Sequence, residues 1–179
     1  MNYFTIIDSP LGELLLLSDG KNLTGLYTCN LYAVAGNSVT VDLPGVRSIK
    51  PVQEDQLPIF ITTQAQLNEY FEGKRRDFDL PVKLTGTPFQ EQVWQALLTT
   101  NHGKCVTYGQ IARAIGHPSA SRAVGAAIGR NPVCIIVPCH RVIGADGSLT
   151  GFAGGMDRKK FLLELESQAT TAKQLQFAK

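Results

Sequence analysis

Residues 131–142 read NPVCIIVPCHRV: an apolar run ends at a proline, and a thiol, an imidazole and a guanidinium follow without a spacer. Cys139 is the candidate nucleophile. A free thiol with pKa ~8.5 is only a few per cent thiolate at neutral pH, so it needs a base or a positive neighbour. His140 and Arg141 are residues of those types. If Val133–Val137 is a buried strand, as its composition suggests, adjacent side chains point to opposite faces. His140 then reaches the sulfur only across a bend or through a water. A third group that orients the imidazole would complete a nucleophile–base–orienter set. The segment MDRKKFLLELES reads as a helix with Phe161, Leu162 and Leu165 inward, and it offers Glu164 and Glu166. Glu166 lies on the side of Leu162 and Leu163, nearer the buried face, and is the candidate. Cys29, Cys105 and Cys134 sit among apolar neighbours and read as small buried hydrophobes.

The elements that must position these groups are legible around them. TPFQEQVWQALLTT opens with Thr87 as a cap, Pro88 at the first helical position and Gln90 closing a capping box. Phe89, Val93 and Leu97 share its apolar face, and Trp94 is expected in the core. Thr107 and Gln110 form a second capping box. Gly116 then stops that helix, and Pro118 is the expected first residue of the next, which runs to about Ile128. Helix, short glycine turn, helix is a helix-turn-helix pattern, weak when taken alone. In the second helix Ala120, Ser121, Ala123, Gly125, Ala126 and Ala127 are small, and Arg122 stands out among them. Such a helix either packs tightly against a neighbour or enters a narrow groove, such as the ~6 Å minor groove of DNA. After the reactive motif, RVIGADGSLTGFAGG predicts a hairpin turning at Asp146-Gly147, then a glycine-rich loop.

The first 80 residues read as a small α/β unit without a catalytic constellation. YFTIID, ELLLLS and LTGLYT are predicted strands. Residues 33–58 look like a loop or an irregular surface strand. A helix is expected over Thr62–Glu72 with Leu67, Tyr70 and Phe71 on its apolar face, and RRDFDLPV is expected as a short strand. Residues 81–168 form a mostly helical second domain, and 169–179, rich in Gln, Ala, Thr and Lys, read as a mobile tail. The chain has 179 residues, enough to bury a real core. Its 44% hydrophobic and 18% charged content suit a soluble protein. LLLL is far short of the ~20 apolar residues that cross a bilayer, so no membrane partner and a cytosolic or nuclear location are expected. The four cysteines are expected to be reduced. Neither they nor His102, His117 and His140 make a zinc spacing, so no metal and no cofactor are expected. Residues 1–80 hold 6 Lys/Arg and 10 Asp/Glu; residues 81–179 hold 11 and 5. The basic half is therefore the one that carries the motif, which hints at a polyanionic partner.

PCHRVIG after GRNPVCIIV, with TPFQEQVWQAL before and GFAGGMDRKKFLLELE after, closely resembles the O6-alkylguanine-DNA alkyltransferases. IDSPLGELLL and EYFEGKRRDFDL are similar to that family's N-terminal domain, which implies a ribonuclease H-like fold there. The resemblance implies direct repair of O6-alkylguanine, and of O4-alkylthymine, in double-stranded DNA, by a monomer whose cooperativity on DNA is left open. The damaged base is flipped out and its alkyl group moves irreversibly to Cys139. His140 takes the thiol proton through a water, and Glu166 orients His140. Tyr108 donates a proton toward the leaving guanine, and Asn131 holds the turn that presents the cysteine. Arg122 fills the space of the flipped base, on a helix face formed with Ala120, Ser121, Ala123 and Gly125. Arg113, Arg130 and Lys104 are candidates for phosphate contacts. Tyr108, Val142, Phe152, Ala153 and Gly154 surround the base. Cys134 and Ala153 stand where mammalian members carry proline and serine. Two rivals differ in kind: a non-repairing sensor of alkylated DNA, and a thiol hydrolase that turns over repeatedly.

Overall fold

The computed structural model describes residues 2–28, 32–35, 38–41 and 52–176. Cys29 lies outside them. Strands β1 (Tyr3–Ile7), β2 (Leu14–Ser18) and β3 (Leu23–Thr28) form an antiparallel meander. Strands β4 (Tyr32–Ala35) and β5 (Ser38–Val41) pair as a separate antiparallel ribbon, and β6 (Val52–Gln53) joins β1 in parallel. The segment read as a loop or an irregular surface strand thus carries three short strands among its described residues. The main sheet has the order β3-β2-β1-β6.

The LLLL run is explained by burial on both faces of β2. Side chains alternate along a strand, so Leu14 and Leu16 enter the main core, while Leu15 and Leu17 meet Phe4, Tyr27 and Val39 on the other side. Each such leucine contributes roughly 1.5–3 kcal/mol when fully removed from water. Helix α1 (Pro58–Phe71) covers the main-core face with Ile59, Phe60, Leu67 and Tyr70. It starts at Pro58 rather than Thr62, because proline suits the first turn even though Leu57 gives no side-chain cap. The expected strand over RRDFDLPV is absent. Gln66 instead clamps the Asp79 backbone, its Nε2 donating to the carbonyl at 2.8 Å and its Oε1 accepting from the N–H at 2.9 Å.

The open edge of β3 is closed by chain from the second half. Leu23 bonds to Pro81 and Lys83, and Leu26 donates to the Pro132 carbonyl at 2.8 Å and accepts from the Cys134 N–H at 3.1 Å. One core therefore runs through both halves. Helix α2 (Pro88–Leu98) and helix α3 (Tyr108–Ala114) both begin with the expected capping boxes. Strand β7 (Val106–Thr107) precedes α3. Trp94 is buried, and its indole N–H donates to the Ala127 carbonyl at 2.9 Å. Helix α4 (Ser121–Ile128) starts three residues later than expected. Pro118 opens a turn instead, closed by the Ala120 N–H on the His117 carbonyl at 2.9 Å. Gly116 ends α3's turn at φ +79°, as a C-terminal glycine should.

Three further expectations are corrected. Val133–Val137 is a buried turn rather than a strand, bridged to β3 at the single pair Val133 and Leu26. Strand β8 (Val142–Ile143) pairs in parallel with β7, so Asp146-Gly147 is a turn outside any hairpin. Helix α5 (Met156–Gln176) turns Lys159, Leu162 and Glu166 inward, whereas Phe161 is 37% exposed. This helix continues through most of the segment read as a tail; residues 177–179 lie outside the described residues.

Candidate active site

Cys139, His140 and Arg141 form one turn of 3-10 helix. With three residues per turn, successive side chains diverge by a third of a turn instead of opposing each other. That geometry supplies the bend that a strand would have denied. Asn131 builds the approach to it. Its Oδ1 accepts from the Val133 N–H at 3.0 Å and its Nδ2 donates to the Val137 carbonyl at 2.9 Å. Between those anchors Ile135 is held at φ +70°. A β-branched residue there costs about 1–3 kcal/mol and persists only when its surroundings over-determine it.

Behind the turn lies a closed polar cluster. His140 and Glu166 are fully buried, and His140 Nε2 meets Glu166 Oε1 at 2.8 Å. A carboxylate only accepts, so Nε2 carries the hydrogen and Nδ1 keeps the lone pair. Among the described residues, Nδ1 has no protein partner. Glu166 also accepts from Arg141 Nε at 3.0 Å and Nη2 at 2.9 Å, from the Gly103 N–H at 2.9 Å and from the Tyr70 hydroxyl at 2.8 Å. Arg141 Nη1 donates to the Thr100 carbonyl. Burial alone would push the Glu166 carboxyl up; His140 and Arg141 outweigh it and hold the group well below the usual carboxylate range. Burial pushes the His140 imidazole down, so it rests neutral. Burial likewise pushes the Cys139 thiol up, against a smaller opposite pull from Asn131. The resting site is therefore a neutral thiol beside a neutral imidazole whose carboxylate stays ionised.

In front of the turn lies a pocket of about 650 Å³. Of the residues singled out in the sequence, Cys139, Tyr108, Asn131, Ser121, Gly125, Phe152, Ala153 and Gly154 line it. Tyr108 stands at the start of α3, its ring against Gly125 and its hydroxyl 3.3 Å from Thr150 Oγ1. His140 and Glu166 sit behind the wall. Val142 does not reach the pocket; it is buried in β8, and its carbonyl accepts from Lys159 Nζ at 2.6 Å. Arg122, Ala123 and Arg113 are exposed, Ala120 and Arg130 are half-buried, and Lys104 is exposed. None of these six lines the pocket.

Sequence reasoning missed several participants. Leu26, Tyr27 and Thr28 of β3 form a wall of the pocket, although the sequence of the first 80 residues shows no catalytic constellation. Cys134, buried in the core as expected, also lines it beside Cys139, while Cys105 is exposed. The fully buried Lys159 donates to the carbonyls of Val142 and Thr150, both at 2.6 Å. Arg158 donates to the Gly154 carbonyl at 2.8 Å and the Leu11 carbonyl at 2.9 Å. Two cations of α5 thus hold both ends of the loop over the pocket. The spacing of Lys159, Leu162 and Glu166 on one helical face was the available signal. Among the described residues no cluster of three His, Cys, Asp or Glu side chains could hold a metal.

Residues 2–84 match the model of the 6-O-methylguanine DNA methyltransferase ribonuclease-like domain, and residues 88–168 match that of the same family's DNA binding domain. The chain belongs to the 6-O-methylguanine DNA methyltransferase family. Within that family it is 46% identical over 173 residues to the methylated-DNA–protein-cysteine methyltransferase of Mycobacterium tuberculosis H37Rv, 96% of each chain being covered. It is 42% identical over 166 residues to the protein of the same name from Haemophilus influenzae, covering 92% of this chain and 86% of that one. The M. tuberculosis OGT solved in complex with DNA superposes with a TM-score of 0.80 at 43% identity, covering 93% and 94% of the two chains. The methyltransferase fold is thus a ribonuclease-like domain joined to a DNA-binding domain, with the cysteine turn where the two meet at β3.

Proposed function

We propose that this chain repairs DNA by moving the alkyl group from O6 of guanine, and from O4 of thymine, onto Cys139. The observation that carries the reading is the arrangement around one buried turn: the thiol lines the pocket, while the imidazole and its carboxylate stand behind. Sulfur attacks the saturated carbon, and the C–O bond to the base breaks. The thiol proton passes through a water to His140 Nδ1, and the imidazolium is then stabilised by Glu166. Tyr108 gives a proton toward the departing guanine, which leaves more easily as the neutral base. The thioether has no hydrolytic exit, so each molecule acts once. A base inside a duplex cannot enter such a pocket, so it is flipped out, at a cost of a few kcal/mol. Arg122, exposed on α4, occupies the gap. Phosphate contacts from Arg113, Arg130 and Lys104 offset that cost. The protein acts as a monomer in the cytoplasm, or in the nucleus of a eukaryote.

Intact-protein mass after incubation with duplex DNA containing O6-methylguanine tests this reading. The expected result is a gain of one methylene that saturates at one per chain and is absent in Cys139→Ala. Tight, selective binding without mass gain would identify a sensor instead. Repeated turnover without a stable adduct would favour a thiol hydrolase.

A further inference from the structure

We propose that Tyr70, from the N-terminal half, is a positioning residue for the transfer chemistry, its hydroxyl fixing the charge and orientation of the carboxylate that sets His140. The inference rests on the roles given to Cys139 and His140 above. The Tyr70 hydroxyl donates to Glu166 Oε1 at 2.8 Å, and His140 Nε2 meets that same oxygen at 2.8 Å. Tyr70 is 1% exposed and Glu166 and His140 are fully buried, so no bulk water screens the contact. A hydrogen bond to an ionised acceptor is roughly twice as strong as a neutral one, and more so in a low dielectric. The ring is fixed independently, with Phe71, Phe78 and His102 at centroid distances of 5.5, 5.4 and 6.1 Å. The hydroxyl is therefore aimed at the carboxylate by packing within and beside α1.

A donor on Oε1 draws negative charge away from the imidazole. That keeps the Nε2 hydrogen on His140 rather than shared toward Glu166, and it leaves Nδ1 as the proton acceptor. Without the hydroxyl, more of the carboxylate's charge falls on His140 and favours its protonated form. The other groups facing this pair are Arg141 and Lys159, which oppose protonation of His140, together with Cys139, and His102 and Cys105 near Glu166. None of them changes in Tyr70→Phe, which deletes one hydroxyl and keeps the ring.

The test follows the imidazole nitrogens of His140 by NMR through a pH titration, in the full chain and in Tyr70→Phe. Beside it, the transfer rate to duplex O6-methylguanine is measured across the same pH range. The expected result is a His140 titration displaced to higher pH in the variant. The acid limb of the rate profile should move the same way; the plateau rate should fall about tenfold because the carboxylate, and with it the aim of Nδ1, is no longer fixed, a part of the ~10²–10⁴ that a positioned base supplies. Affinity for the duplex should not change. A His140 titration that stays in place, with rate and stability altered or not, overturns the inference and leaves Tyr70 as a structural contact. If the titration moves but the wild type transfers nothing, the function reading fails and with it the hydroxyl's role in transfer.

Discussion

Asn131 uses both ends of its amide on the turn it precedes, and the φ of Ile135 shows what that hold opposes. Asn131→Ala leaves the Val133 N–H unpaired in a buried place and takes one of two donors from the Val137 carbonyl, which keeps the Cys139 N–H at 2.8 Å. At ~1–3 kcal/mol for an unsatisfied buried group, the variant should lose about 1–3 kcal/mol in urea unfolding, and transfer should slow as the cysteine loses its fixed position. A loss under about 0.5 kcal/mol would mean that another contact holds the turn. The same scale shows why the thiol needs its partners. Burial keeps it protonated, so reactivity has to come from a base that is itself buried and neutral.

At the scale of elements, the loop of residues 150–154 is clamped by α5 at both ends and filled by its own Phe152. A Cβ added at Gly154 would lie 2.6 Å from the Phe152 ring and 3.3 Å from Thr28 Oγ1. Gly154→Ala should therefore displace the ring, cost about 1–3 kcal/mol by overpacking and slow transfer. Rate measurements beside urea midpoints would check this; unchanged values in both would show that the ring gives way freely. Elements with local signals were readable from sequence: both capping boxes, Trp94 and the Cys139–His140–Glu166 set. What escaped was set by distant partners. The run Val133–Val137 has strand composition, yet β3 offers it only one bridging residue, so it closes into a turn. RRDFDLPV fails as a strand for the same reason. The wall of the pocket formed by Leu26–Thr28 could not be read from a strand whose local pattern reports only burial.

For the whole molecule, the shifted groups set a pH window. His140 and His102 are held below their ordinary value of 6.5, and Glu166 below 4.5. The unfolded chain therefore binds these protons at higher pH than the folded one, and stability is lost as pH falls, first through the histidines below about 6.5 and then through Glu166. Cys134 and Cys139 are pushed above 9.0, so on the alkaline side the unfolded chain releases protons first and stability is lost as pH rises past that value. Melting temperatures at constant ionic strength should form a plateau between these limits; a Tm unchanged from pH 8 to pH 5 would contradict the buried neutral histidines. The joint at β3 bears on how the chain reaches this state. During synthesis the sheet emerges first; residues 81–83 pair with Leu23 soon after, but β3 stays unpaired at Leu26 until residues 132–134 follow far along the chain. Such distant pairing slows folding, and an open edge invites pairing with other chains. The nascent N-terminal half is thus a template whose Leu26 end only residues 132–134 close, and a truncated chain ending before Pro132 would carry that open stretch permanently.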